Sequence, residues 1–150
     1  MQRAHNKELN TLVASYGGQD LDASLLQAVS LRFFKKGDPL LNGTIDAIVK
    51  DLGRERWLLR YRHNDGLGIP SAAFIICTFW LVEALAVAGR MTEAREALRH
   101  AVDCIAPLGL LSEDWDVATM KMWGNFPQAY SHVGLIHACF AASPPWDEVF

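Results

Sequence analysis

Residues 71–105 read SAAFIICTFWLVEALAVAGRMTEAREALRHAVDCI, and the architecture follows from this run. Pro70 precedes it, and Ser71 to Ala88 is predicted as one helix. Ile75, Phe79, Val82 and Ala86 recur along one side, while Ile76, Trp80 and Leu85 widen the apolar arc nearly all round. Such a helix belongs inside. Gly89 closes it, and Thr92 is the candidate cap of a second helix, Glu93 to Ile105. There Ala94, Ala97, Leu98, Ala101, Val102 and Ile105 form one stripe opposite Glu96, Arg99 and Asp103, so this helix belongs outside, against its neighbour.

The same alternation of buried and amphipathic helices extends both ways. Upstream, Leu21, Leu25, Ala28, Val29 and Phe33 follow a possible cap at Asp20 and predict a helix stopped by Gly37-Asp38-Pro39. Pro39 to Leu52 is the next, with Leu41, Ile45, Ile48 and Leu52 on one side, Gly43 weakening it slightly and Gly53 as its stop. Trp57 to Gly68 reads as a long loop, extended in its first half and turning at Asn64-Asp65-Gly66. Downstream, Pro107 breaks the helix before it, Leu108 to Asn125 reads as a second long loop, and Pro127 to Ala142 is the last helix. That helix carries Tyr130, Val133, Leu135, Ile136 and Phe140 and ends at Pro144-Pro145. Nowhere do polar and apolar residues alternate for long enough to predict a strand. The expected fold is all-α, about five helices as layered α-hairpins.

The 150 residues are of one-domain size, enough to bury about 68–70% of the unfolded surface. A hydrophobic content of 51%, with seven Phe, five Trp and three Tyr, excludes a disordered chain. The net charge of −3 comes with no cluster of Lys or Arg, which argues against nucleic acid as a partner. The longest apolar run, Ile69 to Val82, is interrupted by Pro70, Ser71 and Thr78 and falls short of the roughly 20 residues of a membrane span. Met1 to Asn10 is polar, without a signal-peptide segment, and Cys77, Cys104 and Cys139 are widely spaced with no CxxC. A cytoplasmic location with three buried thiols, and no structural metal, is the expectation.

Two places carry residues suited to chemistry. Glu113 and Asp114 lie between Leu110-Leu111 and Trp115, where one carboxylate beside an aromatic face would have a raised pKa and suit a proton acceptor; the plainer alternative is a set of solvated turn residues. Indole next to carboxylate also suits a sugar, whose ring faces stack while its hydroxyls hydrogen-bond. Arg60 and Arg62 project to one side if the chain is extended there, offering forks to hydroxyls or a carboxylate, although surface ion pairing is the commoner use. Ser131 and His132 share a helix, but no GxSxG sequence surrounds a serine, and the glycines near Ser15 do not supply one. His100 and Cys104 are four apart and lack an evident third metal ligand.

Five strings, in order, carry a resemblance. They are Ser15-Tyr16-Gly17-Gly18 with Leu21-Asp22-Ala23-Ser24-Leu25-Leu26; Tyr61-Arg62 with Asp65-Gly66-Leu67; Cys77-Thr78-Phe79-Trp80-Leu81-Val82-Glu83-Ala84-Leu85; Leu110-Leu111-Ser112-Glu113; and Gly124-Asn125-Phe126-Pro127-Gln128-Ala129-Tyr130-Ser131-His132. Over about residues 13–140 the chain resembles the C-terminal part of glycoside hydrolase family 15, which holds glucoamylases, glucodextranases and bacterial trehalases. The resemblance implies part of an (α/α)6 barrel and cleavage of α-glucosidic bonds with inversion, by an acid and a base about 6.5–9.5 Å apart. It places Glu113 at the position of the catalytic base, with Asp114 where Gln or Glu is more usual. One of Arg60 and Arg62 matches an arginine that contacts the sugar in the cleaved-bond subsite, and Gln128 and Trp115 are weaker candidates for lining that pocket. The family's general acid belongs to an earlier Trp-Glu pair, which this sequence lacks. Glu83 is expected to pack or cap. No cofactor is implied.

Five helices cannot close a twelve-helix barrel, so apolar faces are expected to stand open for a missing N-terminal half or a self-associated copy. The expected organisation is a polar extension over 1–12, the barrel portion over 13–142 and a tail over 143–150, with an α-glucoside or glucan as substrate. The rival is a non-catalytic, peptide-binding module: Leu81 to Ala94 resembles one tetratricopeptide helix-turn-helix, but no second copy follows about 34 residues later.

Overall fold

A computed structural model describes residues 3–66, 68–104 and 108–144. The chain opens on a hairpin, β1 (His5–Asn6) and β2 (Thr11–Leu12), followed by a 3-10 helix, Ala23–Ala28. Helix α1 (Pro39–Leu52) leads into a second hairpin, β3 (Gly53–Arg54) and β4 (Trp57–Leu58). Strand β5 (Ala73–Phe74) runs straight into α2 (Ile75–Ala88), which turns into α3 (Met91–Asp103). Strands β6 (Asp114–Asp116) and β7 (Lys121–Trp123) precede α4 (Ala129–Ala142).

Helix α2 is the centre. It is buried on nearly every side, from Ile75 to Val82 and again at Ala84, Leu85 and Ala88, and it packs against α4, α3, α1 and the 3-10 helix. Gly89 ends it in a left-handed conformation at φ 85°, and the Arg90 N–H donates back to the Leu85 carbonyl at 2.8 Å. Helix α3 buries Ala94 and Ala101 on one side only, as its stripe predicts. It begins at Met91, with Thr92 exposed inside it and no side-chain cap. Arg90 binds Glu93 at 2.7 Å and Asp46 at 2.6 Å instead, joining α3 to α1.

The first expected helix is much shorter than the periodicity suggests. Asp22 caps it by accepting from the Ser24 N–H at 2.7 Å, and burial then falls on Ala23, Leu26 and Val29, the three-residue period of a 3-10 turn. Arg32 takes a left-handed φ of 55°, which reverses the chain and leaves Leu31 and Phe33 exposed. Helix α1 has its expected bounds, with the Asp38 carboxylate capping the Leu40 N–H and Pro39 in the first turn. Gly43 has a packing reason: a Cβ there would collide with the Asn10 carbonyl, where the first hairpin crosses α1. Within the stretch read as a polar extension, Thr11 and Leu12 are buried and the Leu12 N–H donates to Thr44 Oγ1 at 3.0 Å.

The short strands are what periodicity missed. A pairing of two or three residues has no room to show alternation, and here it is imposed by tertiary contact. β5, β6 and β7 form an antiparallel sheet with Phe74 opposite Asp114 and Asp114 opposite Trp123. The helix expected from Ser71 therefore starts only at Ile75. Pro107, Ile105 and Pro145, read as part of helix boundaries, lie outside the described residues. Among those described, no helix is long and apolar enough to cross a membrane.

Candidate active site

The segment Leu111–Glu113 is fixed from several sides. The Glu113 carbonyl accepts from the Ile75 N–H at 3.1 Å at the start of α2, and the Glu113 N–H donates to the Asn125 carbonyl at 2.9 Å. Asn125 returns two bonds to one carboxylate oxygen, Glu113 Oε2, from its amide side chain at 2.9 Å and its backbone N–H at 3.3 Å. Among the described residues, Oε1 accepts none. Gly124 makes this approach possible. A Cβ at that position would lie 3.1 Å from both Glu113 Cβ and Oε2, and its φ of +77° suits only glycine without strain.

Glu113 and Arg60 line one cavity of about 270 Å³, together with Tyr61, Phe74 and Asp114. Arg60 arrives from the chain beyond β4. Its Nε donates to Asp22 Oδ1 at 2.7 Å, and its guanidinium lies over the Trp80 ring, 5.6 Å from the centroid. Burial works against the positive charge, but the Asp22 hydrogen bond and charge more than offset it, so the Arg60 pKa rises above its ordinary value. Asp22 thus caps the 3-10 helix and orients Arg60 with the same oxygen. Behind the cavity wall, Tyr130, on α4, packs edge-on to Trp80 and tilted against Phe74.

Asp114 reaches the same cavity and a neighbouring one of about 310 Å³ that Asp65 and Trp123 also line. Burial first, and the charge of Glu113 second, push its pKa up to about 6. The partly desolvated carboxylate expected at this step is therefore Asp114. Another cavity, about 320 Å³, lies between α1, the second hairpin, α2 and α3 and is lined by none of the candidate residues.

The remaining candidates are placed elsewhere. Arg62 is exposed and pairs with Asp51 at 2.8 Å, so of the two arginines only Arg60 meets Glu113 in the cavity. Trp115 is buried and stacked on Trp57, with centroids 5.1 Å apart; it does not line the cavity. Next to Asp114 in a strand, it projects to the opposite side of the sheet, a consequence of strand alternation that a loop assignment hides. Gln128 is half-buried and precedes α4, its N–H donating to the Leu111 carbonyl at 2.8 Å. Glu83 packs as expected, accepting from Ser30 Oγ at 3.2 Å. His100 lies edge-on to Trp57. Asp22, Phe74 and Trp80 are the residues that reading by motif missed. Asp22 and Trp80 stand inside quoted strings, but only the fold shows that both hold Arg60.

Known proteins resemble the chain along nearly its whole length. It is 40% identical over 130 residues to a trehalase of Mycolicibacterium smegmatis, covering 85% of this chain and 20% of that protein. It is 36% identical over 151 residues to a trehalase of Thermoplasma acidophilum, covering 100% of this chain and 25% of the relative. The chain therefore spans only a fifth to a quarter of these relatives. Among solved structures, a wild-type glycosidase superposes with a TM-score of 0.78 at 22% identity, over 94% of this chain and 40% of the other; a glycosidase in complex with glucose gives 0.77. That likeness is one of fold, and it fits helices belonging to part of a helical barrel. The family model described as Glycosyl hydrolases family 15 matches residues 1–140, and with it the chain belongs to glycosyl hydrolase family 15.

Proposed function

We propose that this chain supplies the base-bearing side of an active site that cleaves α-glucosidic bonds with inversion. Glu113 is the water-activating base, Arg60 holds hydroxyls of the sugar at the cleaved bond, and Phe74, which lines the same cavity with Tyr130 packed behind it, faces the ring. The observation that carries this is the shared cavity: a carboxylate with one oxygen held by Asn125 and the other unengaged among the described residues, beside an arginine whose Nε is committed to Asp22. Such a carboxylate accepts a proton from water without losing its orientation. Gln128, which does not line the cavity, keeps only a backbone tie to the segment that carries Glu113. A trehalose-like or maltose-like glucoside is the substrate class, in keeping with the trehalases that the chain resembles.

The general acid comes from residues outside this sequence, which contains no Trp-Glu pair. The same missing part covers the open faces of the molecule. Val133, Ile136 and Phe140 are 47%, 53% and 66% exposed on α4, a contiguous apolar stripe that a finished barrel would bury. Of the three thiols expected to be buried only Cys77 is, Cys104 being half-buried and Cys139 exposed, and free thiols suit a reducing compartment such as the cytoplasm. No metal or organic cofactor is needed for this chemistry. The test is an assay of the purified chain on maltose, trehalose and a nitrophenyl α-glucoside. Background hydrolysis is expected. Robust turnover that Glu113→Gln abolishes would overturn the dependence on a second part.

A further inference from the structure

Ser131 and His132 are left over from the motif that ends the family resemblance, and neither touches the cavity. His132 nonetheless joins α4 to the segment that carries Glu113. Its Nε2 faces the Leu111 N–H at 3.3 Å, and its Nδ1 lies 2.7 Å from the Gln128 carbonyl. A backbone N–H only donates, so Nε2 must be an unprotonated acceptor; a carbonyl only accepts, so Nδ1 must carry the proton. Both constraints are met by a single state, the neutral ring protonated at Nδ1. Two parallel bonds complete the junction, from the Gln128 N–H to the Leu111 carbonyl at 2.8 Å and from Ser131 Oγ to the Ser112 carbonyl at 2.7 Å.

We propose that His132 is a positioning residue for Glu113: locked as the Nδ1–H tautomer, it pins the Leu111–Glu113 segment to the first turn of α4 and so sets where the carboxylate stands in the cavity. The role rests on Glu113 as the base read above. The segment preceding Glu113 has no sheet partner at Leu111, and among the described residues the N–H of this buried leucine has no acceptor without the imidazole. Slack there passes along two residues to Glu113, whose own backbone ties run to Ile75 at the start of α2 and to the loop residue Asn125.

Long-range proton–nitrogen spectra of the 150-residue chain labelled with ¹⁵N and ¹³C test this without requiring turnover, so failure of the base assignment and failure of this one are distinguishable. His132 is expected to show one protonated nitrogen, Nδ1, and one unprotonated, Nε2. In His132→Leu the Leu111 amide is expected to exchange about fivefold faster, the factor for losing one neutral hydrogen bond, and the Asn125 side-chain amide signals, whose acceptor is the Glu113 carboxylate, are expected to move. His132→Gln places an acceptor where Nε2 was and restores both, while amides of α2 keep their protection throughout. An Nε2–H tautomer in the unsubstituted chain would overturn the proposal even if the leucine variant failed to fold. So would Asn125 side-chain amide signals that are the same in all three chains.

Discussion

Asp114 is held in an environment that favours its neutral form, and this has a measurable sign. The unfolded chain releases that proton at about 3.9, whereas the folded chain releases it at about 6. Between those values the folded state binds more protons, so this group's contribution to stability falls as pH rises through the window. Asp114→Asn is accordingly expected to raise stability at pH 7 by about 1 kcal/mol, discounted for the half-exposed side chain, or roughly 2–4 °C in Tm. At pH 3.5 the two chains should melt together. Thermal melts at both pH values check this, and equal melting at pH 7 would contradict it. Gly124→Ala has a different origin, since a methyl would strain the left-handed turn and press on Glu113. A loss of about 1 kcal/mol or more in urea denaturation is expected, with the Asn125 side-chain amide signals displaced because their acceptor moves.

The helices show how far pattern alone reaches. The bounds of α1 and the ends of α2 and α4 could be read from spacing, Pro and Gly, because helical periodicity and capping act within a few residues. The start of α2 could not, because Ala73 and Phe74 are drawn into a sheet by partners some forty positions away. The same sheet explains why Trp115 faces Trp57 while Asp114 faces the cavity. In the candidate site, motif position offers Glu113 and the pair Arg60/Arg62, and the preference for Arg60 rests on the shared cavity and on Asp22 and Trp80, which only tertiary structure brings to it. Helix α4 also meets α2 closely at Gly134, where a Cβ would lie 3.0 Å from Ile76 Cγ1 and 3.1 Å from Phe79 Cδ2. Gly134→Ala adds helix propensity yet forces α2 and α4 apart, and a net loss of about 1–3 kcal/mol is expected in urea titration. A gain in stability would show that the two helices have room to spare.

The molecule as a whole has a well-packed body around α2 and apolar side chains that stand exposed outside it. Leu31 and Phe33 beyond the 3-10 helix, and Val133, Ile136 and Phe140 on α4, expose more apolar surface than a self-sufficient domain normally tolerates. The isolated chain is therefore expected to self-associate in sedimentation velocity, and the pair Ile136→Lys with Phe140→Glu to shift it toward monomer without altering helix content by circular dichroism. A monomer at all concentrations would argue that these faces need no cover. The span of a fifth to a quarter of the related trehalases fits a chain whose partner surface lies in the rest of the barrel. Joining the N-terminal portion of the Mycolicibacterium smegmatis trehalase ahead of this chain would complete the barrel, and the comparison that matters is trehalose turnover with Glu113 against Glu113→Gln in that joined protein. A fall in kcat of about 10²–10⁴-fold with the fold intact is the expected result; turnover that survives the substitution unchanged would show that Glu113 does not activate the water.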